Sequence, residues 1–345
     1  MSEDKNTVDH KKESKGFLTG RNVSFTYPGR KNTPVVKNIS FDISSSGITA
    51  IIGESGSGKS TLLKLIYGLI DPSEGEIKIN GEAIPHSQEK LIPGHVDMKI
   101  VTQDFDTLNL YAKVWDNIAS QLPNTDLTFK EKKTREVLKL LKIEHLSEKR
   151  VADISGGERQ RTAIAKALVH GPKVLLMDEP FNQVDSAFRN ELQNDVREIV
   201  NNTGLTIILV SHNPEEVLAI ADEIIILKEG EVKESGKPFQ LYNRPENTYS
   251  ARLLAKSNIL SSEEATLIDI DAEHDVIIHR EWLEINNRGR HDFLVESVFF
   301  RGFYYEILMI TDNDLALTAL TYEAPSFEPG EKIGVTVRHY HETKG

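Results

Sequence analysis

The strongest chemical signal in the chain is the run Gly53-Glu54-Ser55-Gly56-Ser57-Gly58-Lys59-Ser60-Thr61. It satisfies G-x-x-x-x-G-K-[ST], the pattern of a loop that cradles phosphates. Glycines permit backbone conformations that aim consecutive N–H groups at a phosphate, and the positive end of a following helix adds to the attraction. Lys59 is then the cation for the β- and γ-phosphates. The Ser60 hydroxyl is a hard oxygen donor suited to magnesium. All nine residues therefore count as candidates for binding ATP and Mg2+.

A second site candidate is the acidic pair in Val174-Leu-Leu-Met-Asp178-Glu179. It lies where an apolar strand pattern ends, the position at which α/β folds bind their ligands. Asp178 would hold magnesium, often through water. Glu179 would orient the attacking water and take its proton as general base.

A third is Ile154-Ser155-Gly156-Gly157-Glu158-Arg159-Gln160-Arg161, ahead of a helical pattern that runs to Leu168 and stops at Gly171-Pro172. Ser155 followed three residues later by Glu158 reads as a capping box. Two glycines in a first helical turn cost roughly 1 kcal/mol each against alanine, so capping does not explain them. A bare backbone is explained if a phosphate approaches this helix start closely.

Here the chain resembles the ATP-binding-cassette ATPase family, over about residues 17 to 260, with Ser155-Gly156-Gly157-Glu158 standing as its signature motif. The resemblance implies a homodimer, in which the signature of one copy closes on the ATP held by the phosphate loop of the other. Two departures stand out. The usual Leu-Ser-Gly-Gly-Gln is Ile154-Ser-Gly-Gly-Glu158, and the usual Ser-Ala-Leu-Asp after the acidic pair is Asn182-Gln-Val-Asp185. The first brings a carboxylate near a γ-phosphate unless Glu158 turns back to cap its own helix. The second keeps Asp185, which the family places across the dimer interface. By the same resemblance Tyr27 stacks on adenine, Gln103 contacts magnesium and opens the helical subdomain beside the membrane subunit, and His212 is the switch histidine at the γ-phosphate.

These residues need elements to hold them. From Phe17 onward short apolar runs alternate with helical patterns, an α/β arrangement. Ile48 to Ile52, Val174 to Met177 and Thr206 to Val210 lack polar alternation, so each is expected as a strand buried on both faces. Leu62, Leu65, Ile66 and Leu69 form an apolar helical stripe after the phosphate loop, ended by Asp71-Pro72. About residues 104–169 read as an inserted helical subdomain, with an exposed helix over Lys130 to Lys142. Residues 1–16 read as a flexible arm and 17–245 as the ATPase domain. Beyond Arg244-Pro245, the segments Phe293 to Phe300, Tyr304 to Ile310, Leu315 to Thr321 and Lys332 to Arg338 are rich in strand formers separated by turns. The expected fold is an α/β phosphate-loop cassette followed, over 246–345, by a small all-β barrel.

That tail resembles the transport-associated OB-type barrel of importer ATPases, with Ile278-His279-Arg280-Glu281 in place of the family's Ile-Arg-Pro-Glu. The resemblance implies an importer for a sugar, polyamine, ferric iron or an oxyanion. It also implies integral membrane permease subunits as partners, a solute-binding protein acting indirectly, and a peripheral position on the cytoplasmic face of the membrane. An exporter subunit and a soluble non-transport cassette ATPase are the alternatives. The exporter shares every ATP motif but generally lacks the tail. The soluble enzyme usually carries two cassettes or a long coiled-coil insertion.

Composition narrows the field further. The 345 residues are 39% apolar and 27% charged, an ordinary globular balance. The net charge of −12 opposes binding to nucleic acid. With no cysteine, thiolate catalysis, disulfides and zinc–thiolate sites are excluded, and a reducing compartment fits. No apolar run approaches the ~20 residues of a spanning helix.

Overall fold

A computed structural model describes residues 16–29, 33–85, 94–102, 107–182, 184–286 and 289–344. The expected N-terminal arm thus lies almost wholly outside the described residues. The chain divides into two compact units, one of residues 1–47 and 60–208, the other of residues 48–59 and 209–345. Strands and helices are numbered in chain order.

The first unit holds an antiparallel sheet of β2 (Val36–Ile43), β1 (Leu18–Phe25), β4 (Glu74–Ile79) and β5 (Glu82–Ala83), in that order. A parallel pair joins β6 (Met98–Val101) to β7 (Val174–Asp178), register Met98 to Val174 through Val101 to Met177, and β8 (Thr206–Ser211) follows on the other side of β7. Every residue of β8 is buried, as are the first four of β7, which is what the absence of polar alternation requires. Helix α1 (Lys59–Tyr67) buries Leu62, Leu65 and Ile66. Leu69 is not part of that stripe. Gly68 takes a left-handed φ of 79° and ends the helix, leaving Leu69 past its end and 40% exposed.

The segment expected to be helical carries α2 (Val114–Ala119), α3 (Leu127–Leu140) and α4 (Gly156–Leu168). The helix expected at Lys130 starts earlier, at Leu127, because the Asp126 side chain accepts the Phe129 N–H and caps it. Helix α4 is anchored to α5 (Ser186–Thr203) by a buried charge cluster. Asp195, 1% exposed, receives Arg161 at 2.5 Å and Lys142 at 2.7 Å. A carboxylate removed from water this completely needs both cations.

In the second unit β3 (Ile48–Ile52), buried throughout, runs parallel to β9 (Glu223–Lys228), and β10 (Glu231–Gly236) returns antiparallel along β9. Helix α6 (Pro214–Ile220) lies between β8 and β9 in sequence. After β10 come α7 (Pro238–Asn243) and α8 (Thr248–Ala255), so two helices precede the first strand of the tail.

The tail has two antiparallel sheets. One orders β11 (Asn258–Leu260), β12 (Val276–Ile278) and β18 (His341–Glu342). The other orders β13 (Leu283–Asn286), β17 (Lys332–Val337), β14 (His291–Phe300), β15 (Tyr305–Ile310) and β16 (Ala316–Thr321). The short helix α9 (Ser262–Thr266) follows β11. Side chains from both sheets, among them Leu260, Ile278, Phe293, Ile307, Leu317 and Val335, share one core. His279, fully buried at the end of β12, has both ring nitrogens occupied: Nδ1 pairs with the Ser257 hydroxyl and Nε2 with the Tyr242 carbonyl, each at 2.6 Å. Burial first, opposed by the Tyr242 carbonyl, holds this imidazole below its ordinary pKa, so it joins α7, α8 and the tail as a neutral group.

Candidate active site

The phosphate loop follows β3 without a break. Gly53 is required by close approach: a Cβ there would lie 2.2 Å from the Leu227 carbonyl oxygen of β9 and 2.7 Å from Ser57 Oγ. Gly58 is required by conformation, with a φ of 102° that L side chains avoid. Lys59, 6% exposed, donates from Nζ to the carbonyls of Gly53 (2.8 Å) and Glu54 (2.9 Å), curling the loop around its own cation. Gly230 N–H donates to the Ser57 carbonyl at 3.0 Å, so the turn after β9 backs the loop. Glu54, Ser55 and Gly56 form the exposed crest, and Ser57 Oγ is buried with no partner among the described residues.

Helix α1 places Ser60 against the end of β7. Ser60 Oγ donates to Asp178 Oδ1 at 3.0 Å. A hydroxyl and a carboxylate held together in this way are hard oxygen donors of the kind that suits magnesium, an ion that takes most of its oxygens from water and phosphate. Next along, Glu179 has a φ of 50°, a backbone conformation of order 1 kcal/mol or more above the usual wells for a non-glycine residue. Asn182 Nδ2 donates to Glu179 Oε2 and orients the carboxylate. In the sequence Asn182 stands out only as a departure from the family pattern, and no local periodicity marks it as a partner of Glu179. Tyr27 lies beside the residue that follows Ser60, its hydroxyl sharing a 3.2 Å hydrogen bond with Thr61 Oγ1 and its ring packed edge-on against Phe25.

At the start of α4 the competition for Glu158 has a definite outcome. Ser155 N–H donates to Glu158 Oε2 at 2.8 Å, and Glu158 N–H donates to Ser155 Oγ at 3.3 Å, a closed capping box. These contacts, the Ser155 backbone N–H foremost, hold the Glu158 carboxyl below its ordinary pKa. Its stabilising effect is therefore fully present above the unfolded value near 4.3 and is lost as pH falls through the lower folded value. Replacing Glu158 with Ala is expected to destabilise the protein by roughly 1 kcal/mol at pH 7. The loss should shrink as pH falls through the carboxyl's folded pKa, which urea unfolding at the two ends of that range would measure.

The same helix start borders a cavity of about 220 Å3 lined by Ser155, Gly157, Glu158, Val184 and Asp185. The structure thus brings Asp185, exposed at the start of α5, beside the Ser-Gly-Gly-Glu run. Gly157 is not demanded by packing within the chain, because a Cβ there would meet nothing nearer than Val184 Cγ1 at 3.5 Å, an ordinary contact. His212 is exposed in the turn between β8 and α6. That turn is held by Asn213 N–H to Ser211 Oγ (3.0 Å) and by Ser211 Oγ to Glu216 (2.8 Å). Gln103 lies outside the described residues.

Comparison with known proteins places this geometry among relatives. Residues 36–182 match the ABC transporter family. The structure of cbiO1 from Clostridium perfringens, part of the ABC transporter complex cbiONQ, is similar with a TM-score of 0.62 and 30% identity, covering 66% of this chain and 90% of that one. The bacterial ABC transporter cassette MJ0796 in a dimeric structure is similar at TM-score 0.57 and 28% identity, covering 64% of this chain and 98% of that one. The same cassette as a dimer in a post-hydrolysis state bound to ADP and Pi gives 0.56 and 27%, with the same coverages.

Proposed function

This chain belongs to the ABC transporter family, and from that membership we propose that it is the ATP-hydrolysing subunit of a membrane importer, in which two copies close on each other's nucleotide. The observation that carries the ATPase chemistry is the 3.0 Å pairing of Ser60 with Asp178 at the end of the phosphate loop. Magnesium held there would neutralise charge on the transferring phosphoryl group. Lys59, buried and already ringed by loop carbonyls, would meet the β- and γ-phosphate oxygens. Glu179, fixed by Asn182, would accept a proton from water as that water's oxygen bonds to the γ-phosphorus. The bond from the γ-phosphorus to the bridging oxygen breaks, and ADP leaves with the electron pair. Tyr27 would take the adenine face, while His212 and the Gln103 loop would complete the γ-phosphate and magnesium contacts.

The second copy is supported by the helix start at Gly156. Ser155 Oγ and the Glu158 carboxylate are engaged with each other in the cap, so what this helix start would offer a γ-phosphate brought from outside the chain is its backbone N–H groups, left bare by Gly156 and Gly157. Glu158, bound to its own helix, points its charge into the cap. Asp185 on the same cavity would reach the partner. The dimeric MJ0796 cassettes favour the same arrangement.

Import is favoured by the tail, whose two antiparallel sheets over one core suit an OB-type barrel with a regulatory or dimerising role. No helix among the described residues is long and apolar enough to cross a membrane. Attachment would therefore run through permease subunits, with a solute-binding protein acting through them. That cbiO1 is part of a transporter complex favours this reading. Purification of the tagged chain from detergent-solubilised membranes is expected to bring down two integral membrane proteins. Vesicles rebuilt with them should take up solute on the side opposite the ATPase. Recovery of ribosomes or DNA in their place would overturn the transport reading, and efflux would replace import with export.

A further inference from the structure

Helix α8 reaches back to the phosphate loop through one side chain. The Tyr249 hydroxyl accepts the Glu54 N–H at 3.3 Å and donates to the Leu227 carbonyl at 3.2 Å, the carbonyl that excludes any side chain at Gly53. The peptide between Gly53 and Glu54 is thereby held on both edges. Its N–H points to Tyr249, and its carbonyl receives Lys59 Nζ. The ring also lies under the Lys228 ammonium, 4.8 Å from the ring centroid.

The tyrosine is itself well fixed. Asn247 caps α8 by accepting the Ser250 N–H, and its amide donates to Glu234 of β10 at 3.1 Å. The other end of the helix leads to Ser257, paired with the buried His279. Tyr249 therefore brings a hydroxyl of fixed position to a loop whose crest is exposed. Burial pushes its phenol above the ordinary value, so the proton donated to Leu227 stays in place across the physiological range.

We infer that Tyr249 is a positioning residue for ATP binding: its hydroxyl locks the first peptide of the phosphate loop in the orientation that keeps Lys59 at the loop mouth. Without it the peptide loses one of its two anchors and can rotate, and Lys59 then loses the Gly53 carbonyl that steers it. This deepens the ATPase reading and rests on it.

The test is Tyr249→Phe, which keeps the ring beneath Lys228 and removes only the hydroxyl. Binding of a fluorescent ATP analogue with Mg2+ to the full-length protein, steady-state ATPase rates and thermal melts would be measured beside wild type. The variant is expected to weaken nucleotide binding and raise KM by roughly three- to tenfold, the loss of about one hydrogen bond. Its rate at saturating ATP should stay within about twofold of wild type. An unchanged dissociation constant and KM would overturn the inference, whether or not the melting temperature falls. So would a fall in kcat with KM unchanged. Failure of wild type itself to bind the nucleotide would instead reject the ATPase reading, so the two failures are distinguishable.

Discussion

Glu179→Gln is expected to bind ATP as tightly as the native protein while hydrolysing it at least about 100-fold more slowly, the low end for removal of a general base. The exchange keeps the shape of the side chain and an oxygen that can still accept from Asn182 Nδ2. It removes only the ability to take up a proton. The left-handed backbone at this residue is equally unfavourable for both side chains, so stability should change little. If hydrolysis is the step that reopens two closed copies, the variant should also persist as a dimer in ATP and Mg2+, visible by size-exclusion chromatography. Turnover near the native rate would remove Glu179 from the chemistry. Loss of ATP binding would show that it holds the site together instead.

Gly157→Ala should move stability and activity in opposite directions. Within one copy the methyl group meets only Val184 at 3.5 Å, and alanine in a helix is favoured over glycine by about 0.5–1 kcal/mol. Thermal melting should therefore rise slightly. Hydrolysis should fall by about 100- to 1,000-fold, because a γ-phosphate from the second copy could no longer come within hydrogen-bonding distance of the helix N–H groups, and losing one such donor costs on that order. A variant that is more stable and fully active would show that nothing approaches this helix start. A fall in both properties would point to a packing defect the structure does not contain.

The two variants test different parts of one cycle, and their residues differ in how readily the sequence reveals them. The phosphate loop is legible because its function depends on nine consecutive residues whose conformations are set locally. Glycine at 58, lysine at 59 and a hydroxyl at 60 are each demanded within one turn of chain, whereas glycine at 53 answers to the Leu227 carbonyl of β9. The apolar runs that became β3, β7 and β8 are legible for the same reason, since burial on both faces leaves no polar residue to interrupt them. The tail strands β14 to β17 follow their segments to within a few residues. Leu69 falls outside its helix because Gly68 ends it, whereas periodicity alone extends the stripe past that glycine.

The sequence by itself determined that this chain has a phosphate-binding loop, an acidic pair after a buried strand and a glycine-bearing helix start, since residue type and short spacing suffice for each. Only the tertiary structure decided who holds whom. It sets Ser60 against Asp178, 118 residues on, and Tyr249 against Glu54, 195 residues back. It turned Glu158 into its own helix and put Asn182 on Glu179. Such pairings depend on which strands lie side by side and where each helix is seated. Those are outcomes of burying the whole core at once, and no local period of the chain records them.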